Sequence, residues 1–327
     1  MTRSALSCVA AAACAALAVL VTPLARAQAD WPNKPVRFIV PFPPGGTVDP
    51  LARLLGTRLS AALGQQFIVD NRPGGSGSIG AGIAAKAAPD GYTYLFVFDT
   101  HAVNPALINL PFDTVKDLAP VMLVGTAPMA IATAPGKPYK TFADVVNLAK
   151  AKPGSVTYGS VGSGSLGHLT LTLVQEAGAF KLVHVPFKGG GPMTTDMLGG
   201  HVEMGIGSVA VLAPHVNGGK LRAIVVTGDK RSQAMPEVAT LSEQGYAGFS
   251  ALAWWGIFAP AGVPKSALNK FHGELVKALN RPDLRKQLTE QLGMDLAVSD
   301  PATLQKFLVT EMERWGKVVR KHGIKAD

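Results

Sequence analysis

Val36-Arg37-Phe38-Ile39-Val40, then Pro41-Phe42-Pro43-Pro44-Gly45-Gly46-Thr47, then Val48 to Leu63, is the stretch whose reading decides the fold. Four of the first five residues are β-branched or aromatic and the five read as a strand, and the Pro/Gly run reads as a loop. Leu51, Leu54, Leu55 and Leu59 recur at helical spacing, and Gly64 stands where a glycine ends a helix. A strand at Gln66–Val69, the glycine loop Gly74–Gly77, a helix near Ile79–Ala88 and a strand at Tyr92–Phe98 extend the pattern to βαβαβ. Such alternation predicts an α/β domain with a largely parallel sheet.

From Met129 the alternation restarts: a strand, a helix Phe142–Ala151, a short strand Val156–Tyr158, a glycine-serine loop and a helix from Leu166. Further strands are expected at Leu182–His184, Val202–Ile206, Leu221–Val226 and Ala253–Phe258. Helices are expected at Lys265–Leu279, Pro282–Leu292 and Pro301–His322. No low-complexity linker separates the halves, so short crossings near Thr126 and near Gly245–Ser250 would join two lobes, 28–126 plus 250–327 and 127–249.

The first 27 residues read as a removable secretion signal: a short basic start, an apolar run from Ala5 to Leu24, and Ala25-Arg26-Ala27 before Gln28. Cys8 and Cys14 both fall in that run, so the mature protein, placed in the periplasm, is expected to use no disulfide, thiolate or cysteine metal site. Without Arg3 and Arg26 the 31 basic residues become 29 against 22 acidic, a net charge of +7. The basic residues are scattered and aromatics make up 7% of the chain, which argues against a nucleic-acid face.

Two loops match G-x-G-x-x-G, Gly75/Gly77/Gly80 and Gly162/Gly164/Gly167, and Asp99 follows the first at a dinucleotide-like distance. Arg72-Pro73 interrupts the turn, so the glycines read as backbone devices and no cofactor is expected. No serine has glycine both two before and two after it, and the seven histidines form no zinc-helix pair. Binding is therefore favoured over catalysis, with no catalytic and no metal residues. Pro43-Pro44-Gly45-Gly46-Thr47 places small residues before a helix, where exposed N–H groups and the helix dipole suit an anion; Ser160-Val161-Gly162-Ser163-Gly164-Ser165 repeats the arrangement. Ordinary capping by Thr47 or Asp49, and by Ser163 or Ser165, fits the spacing equally well.

Together these stretches resemble the Bug or TctC family, the substrate-binding proteins of tripartite tricarboxylate transporters. The likeness is carried by Trp31-Pro32-Asn33-Lys34-Pro35-Val36, Pro41 to Asp49, Val69 to Gly75, Ala88 to Thr93, Asn104 to Leu107, Ser163 to Leu169, His184 to Gly189 and Ala259 to Pro264. It implies a two-lobed Venus-flytrap fold, each lobe a mostly parallel sheet flanked by helices. It also implies a monomeric receptor that captures a small carboxylate (a di- or tricarboxylate, amino acid or aromatic acid) and delivers it to membrane permease subunits. By the same resemblance Phe42, Pro44, Gly45, Gly46, Thr47 and Asp49 hold the ligand from one side and Ser160, Gly162, Ser163, Gly164, Ser165, His168 and Ser208 from the other. Phe42 would pack on its body, and Asp49 would tie the loop by accepting N–H bonds.

Three places depart from the family pattern. Asp99-Thr100-His101 replaces small serine and threonine residues, and Asp99 would either meet a ligand ammonium or be a solvated turn residue. Ile206-Gly207 replaces a phenylalanine-aspartate pair before Ser208, and Thr170 and Thr172 stand where a glutamate is common. A ligand-presenting sensor partner of a membrane kinase, and an exported enzyme using Asp99 with His101 or His168, are the competing functions.

Overall fold

The computed structural model describes residues 31–326. The expected secretion signal, its cleavage site and both cysteines lie outside the described residues.

The elements follow in the order β1 (Val36–Val40), α1 (Val48–Leu63), β2 (Phe67–Asn71), α2 (Ser78–Ala85), β3 (Thr93–Val97), α3 (Thr100–Leu107) and β4 (Leu118–Thr133). Then come α4 (Phe142–Ala151), β5 (Thr157–Ser160), α5 (Leu166–Gly178), β6 (Val183–Pro186), α6 (Gly190–Leu198), β7 (Met204–Ser208), α7 (Val209–Asn217) and β8 (Arg222–Val226). The chain finishes with β9 (Leu252–Pro260), α8 (Lys265–Leu279), α9 (Pro282–Lys286), β10 (Asp295–Leu296) and α10 (Pro301–His322). A wider, π-type helical stretch at Gln287–Gln291 follows α9.

Strands β2-β1-β3 are parallel, and so are β6-β5-β7, as expected of the two βαβ units. The long strands join antiparallel: β9 pairs with β3, and β4 pairs with β9 through Leu118–Pro128. Beyond Pro128, β4 turns to new partners, β7 and β8, through Met129–Thr133. Thus the crossing expected at Thr126 is an uninterrupted strand, with Thr126 paired to Trp254 and Asp295.

One face of the first sheet packs Phe38, Phe67, Tyr94 and Phe96 against Phe271 of α8, with Tyr94 and Phe271 stacked at 3.8 Å. The other face buries Ile39, Leu95, Val97 and Phe258 with Leu304 and Leu308 of α10. Helix α10 keeps this stripe by the i, i+4 spacing of its leucines, starts on the Asp300 side chain capping Thr303 N–H, and ends at a left-handed Gly323. A two-sided core of this kind leaves the strand ends and their loops as the free surface.

Candidate binding cleft

The loop between β1 and α1 is held by its own polar residues. Gly45 takes φ +91°, a conformation that favours glycine. Thr47 stands at the cap position of α1 but its side chain does not cap the helix. Instead Thr47 Oγ1 accepts the indole N–H of Trp255 at 2.9 Å. Asp49, 5% exposed, pairs with Arg53 at 2.9 Å and accepts Asn71 Nδ2–H at 2.9 Å. Asn71 also donates to the Phe42 carbonyl at 3.0 Å. Asp49 therefore ties the loop down by accepting N–H bonds, and those bonds come from side chains. The first-turn N–H groups of α1 have no intrahelical acceptor.

The loop that approaches Gly45 and Gly46 directly is Gly189–Gly191, and Val161 of the expected Ser160–Ser165 loop lines the same pocket. A Cβ built on Gly191 would lie 2.9 Å from the Pro44 carbonyl oxygen, and one on Gly45 would lie 3.5 Å from Gly191 Cα. Between the loops is a small pocket of about 20 Å³, lined by Phe42, Thr47, Asp49, Phe98, Gly190 and Ser208 among others. That volume suits one water-sized group. The starts of three helices meet there: α1 after Thr47, α6 after Gly189 and α7 after Ser208, each without a side-chain cap. Ser208 Oγ is buried and has no hydrogen-bond partner among the described residues. The Phe42 and Phe98 rings meet edge to face at 6.2 Å and close one wall. Pro44 is exposed at the rim.

The second predicted loop is committed to internal bonds. Ser160 Oγ lies 2.7 Å from His184 Nε2 and donates to the Gly162 carbonyl at 3.0 Å. His184 stacks on His168 at 3.8 Å, and His168 Nδ1 accepts the Gly164 N–H at 3.1 Å. Its neighbour across the cleft is the first G-x-G-x-x-G loop, whose Ser76 Oγ donates to the Ser163 carbonyl at 3.4 Å. The two glycine motifs thus face each other. Their third glycines are packing residues: a Cβ on Gly80 would sit 2.7 Å from Pro41 Cβ, and one on Gly167 2.7 Å from Ile206 Cγ2. Ser165 occupies the cap position of α5 without capping it, and its buried Oγ has no partner.

Asp99 is not the solvated turn residue that one reading expected. It is 2% exposed, and its Oδ1 accepts the Leu166 N–H at the start of α5, at 3.4 Å. Burial pushes its carboxyl up to about 7, against the lowering effect of that hydrogen bond. His101, buried against the Phe258 ring at 5.0 Å, is driven down to about 4 by desolvation. Thr100 and His101 line a narrow crevice with Phe42, Phe98 and Asn104, where His101 Nε2 and Asn104 Oδ1 lack partners.

Trp255, Asn71, Phe98 and Gly189–Gly191 were missed from sequence. The run Gly189-Gly190-Gly191-Pro192 was the available signal, since it repeats the glycine-before-helix pattern of the first loop. Among the described residues no group of three His, Cys, Asp or Glu could hold a metal ion, and no helix is long and apolar enough to cross a membrane.

The family model described as "Tripartite tricarboxylate transporter family receptor" matches residues 51–324. Protein BugT of Bordetella pertussis is 34% identical over 298 residues, 90% of this chain and 91% of BugT. The solved periplasmic binding protein BugD superposes with a TM-score of 0.85 at 29% identity, covering 91% of this chain and 100% of that one. Rpa4515 of R. palustris, solved with adipate, gives a TM-score of 0.86 at 31% identity, covering 90% and 99%.

Proposed function

Because this chain belongs to the tripartite tricarboxylate transporter receptor family, we propose that it is a periplasmic receptor that closes two lobes on a small carboxylate and passes it to membrane permease subunits. The adipate in Rpa4515 supports a carboxylate as the ligand class. The observation that carries the reading here is the convergence of three uncapped helix starts and the unpartnered Ser208 Oγ on one small pocket. Backbone N–H groups at a helix start hold an anion without an arginine clamp. The ligand-binding residues on this account are Phe42, Gly45 to Thr47, Gly189, Gly190 and Ser208, with Asp49 as an anchor of the loop.

The lobes proposed are 28–126 with 250–327, and 127–249. The change of β4 partners between Pro128 and Met129 supports a division within a few residues of that point. Closure as a hinge motion would bring Gly191 onto Pro44. A receptor rather than an enzyme fits a family of substrate-binding proteins.

A thermal-shift screen against mono-, di- and tricarboxylates, amino acids and aromatic acids tests the reading. A ligand at a hundredfold excess over its Kd stabilises by about 2.7 kcal/mol, so a binding acid raises Tm in proportion to the logarithm of its concentration. No shift with any acid overturns the assignment. Retention of acid-loaded protein by membranes carrying the permease, and loss of that retention without acid, tests delivery.

A further inference from the structure

Gly46, Thr47 and Val211 line both the small pocket and a cavity of about 490 Å³, so the two are neighbours across these residues. The cavity is walled by Leu51 and Leu54 of α1, Val211 of α7, and Leu288, Leu292 and Met294. Two basic side chains face it. The Arg53 guanidinium is already matched by Asp49 and donates to Asn71 Oδ1 at 3.1 Å. Burial, and then the Lys220 charge, hold His215 below its ordinary value, so it is neutral at pH 7. The cavity thus offers apolar surface and no uncommitted cation.

The start of α5, the place where a second acid group would be expected to dock, is also committed. Asp99 fills it with a carboxyl group from the protein itself. A ligand carboxylate arriving there would have to displace this bond, leaving two carboxyl groups to share one N–H donor in a buried site.

Resting on the receptor reading above, we propose that the ligand is a carboxylate with one anionic head and an apolar body, and that Asp99 excludes a second acid group. The head sits at the starts of α1, α6 and α7 with Ser208 Oγ, and the body lies along Leu54 and Val211 in the cavity. The unpartnered Ser208 hydroxyl points to a ligand at the helix starts, and the shared lining residues set that point beside the cavity.

Calorimetric titration with hexanoate, octanoate and adipate tests this, because hexanoate and adipate share a chain length and differ only in the second acid group. Hexanoate is expected to bind at least tenfold tighter than adipate. Octanoate is expected to be tighter than hexanoate by roughly fourfold for each added methylene. Asp99→Ser should gain at least tenfold for adipate, and Leu54→Glu, at a half-buried position, should lose the advantage of octanoate over hexanoate. Adipate within tenfold of hexanoate, or octanoate no tighter than hexanoate, overturns the inference and leaves the receptor reading standing. Both comparisons use the unsubstituted protein, so neither depends on a variant folding. If no carboxylate binds at all, both readings fall.

Discussion

Trp255 donates its indole N–H to Thr47 Oγ1 at 2.9 Å, and in doing so removes from capping duty the hydroxyl that stands at the start of α1. A fully buried tryptophan needs a partner for its N–H, and Thr47 supplies one from the binding loop. The helix start is left without a side-chain cap, as the proposed anion site requires. Thr47→Val keeps the shape and removes the acceptor, so the buried N–H is orphaned at a cost of about 1–3 kcal/mol. Urea denaturation should show that loss, and an unchanged midpoint would mean the bond does not form.

Ser208 should behave in the opposite way. Its Oγ is buried without a partner, so Ser208→Ala removes an unsatisfied group from the ligand-free protein. The free variant should melt at or slightly above the unsubstituted protein, while ligand affinity falls about tenfold, the loss of about one hydrogen bond. A clear drop in the free protein's Tm would show that the hydroxyl already has a structural partner.

Gly191→Ala isolates closure from chemistry. The added Cβ would meet the Pro44 carbonyl oxygen at 2.9 Å only while the two loops are together, and separation of the loops relieves it. Affinity should fall at least tenfold with little change in the melting of the ligand-free protein. Scattering with saturating ligand should report a more open molecule than the unsubstituted complex. Equal affinity would mean that the loops do not approach this closely when ligand is bound.

Asp99 and His101 give opposed pH dependences. The Asp99 carboxyl rises from 3.8 to about 7 in the folded protein, so between those values the folded state holds a proton the unfolded state has lost. Its contribution to stability is complete below about 4 and fades as pH rises to about 7. His101 falls from 6.5 to about 4, so the unfolded state binds the extra proton and stability grows with pH across that window. The two slopes offset each other between about pH 4 and 6.5. Melting curves from pH 4 to 7.5 should therefore climb with pH for Asp99→Asn and descend for His101→Gln. Identical profiles for both variants would contradict the burial of these groups.

Much of the scaffold was legible locally. The unit β1-loop-α1 and the bounds of α8 and α10 follow from periodicity and caps alone. Helices α3, α6 and α7 were not legible because their sequences resist helix formation: Pro105 lies inside α3, Pro214 inside α7, and α6 opens with Gly190-Gly191-Pro192. Tertiary burial holds them, as Met193 and Met197 do for α6. Only the part of β4 from Met129 is read as a strand from sequence, because Pro120, Gly125 and Pro128 interrupt the rest; register shifts at Pro120/Met122 and Leu123/Gly125 accommodate two of these. At the proposed site, the first loop is read from its glycines before a helix. Which loop it faces is a long-range outcome of sheet order, so Gly189–Gly191 could not be told from Ser160–Ser165 by pattern.

The central claim is that main-chain N–H groups at Gly46 to Asp49 hold the ligand's acid group. Parallel equilibrium titrations of the unsubstituted protein and Gly46→Asp, each with a carboxylate and its uncharged primary amide, test it most directly. The account predicts one-to-one binding of the carboxylate, none of the amide, and loss of carboxylate binding in Gly46→Asp with its melting temperature retained. Equal binding of acid and amide, or undiminished binding by Gly46→Asp, would contradict it.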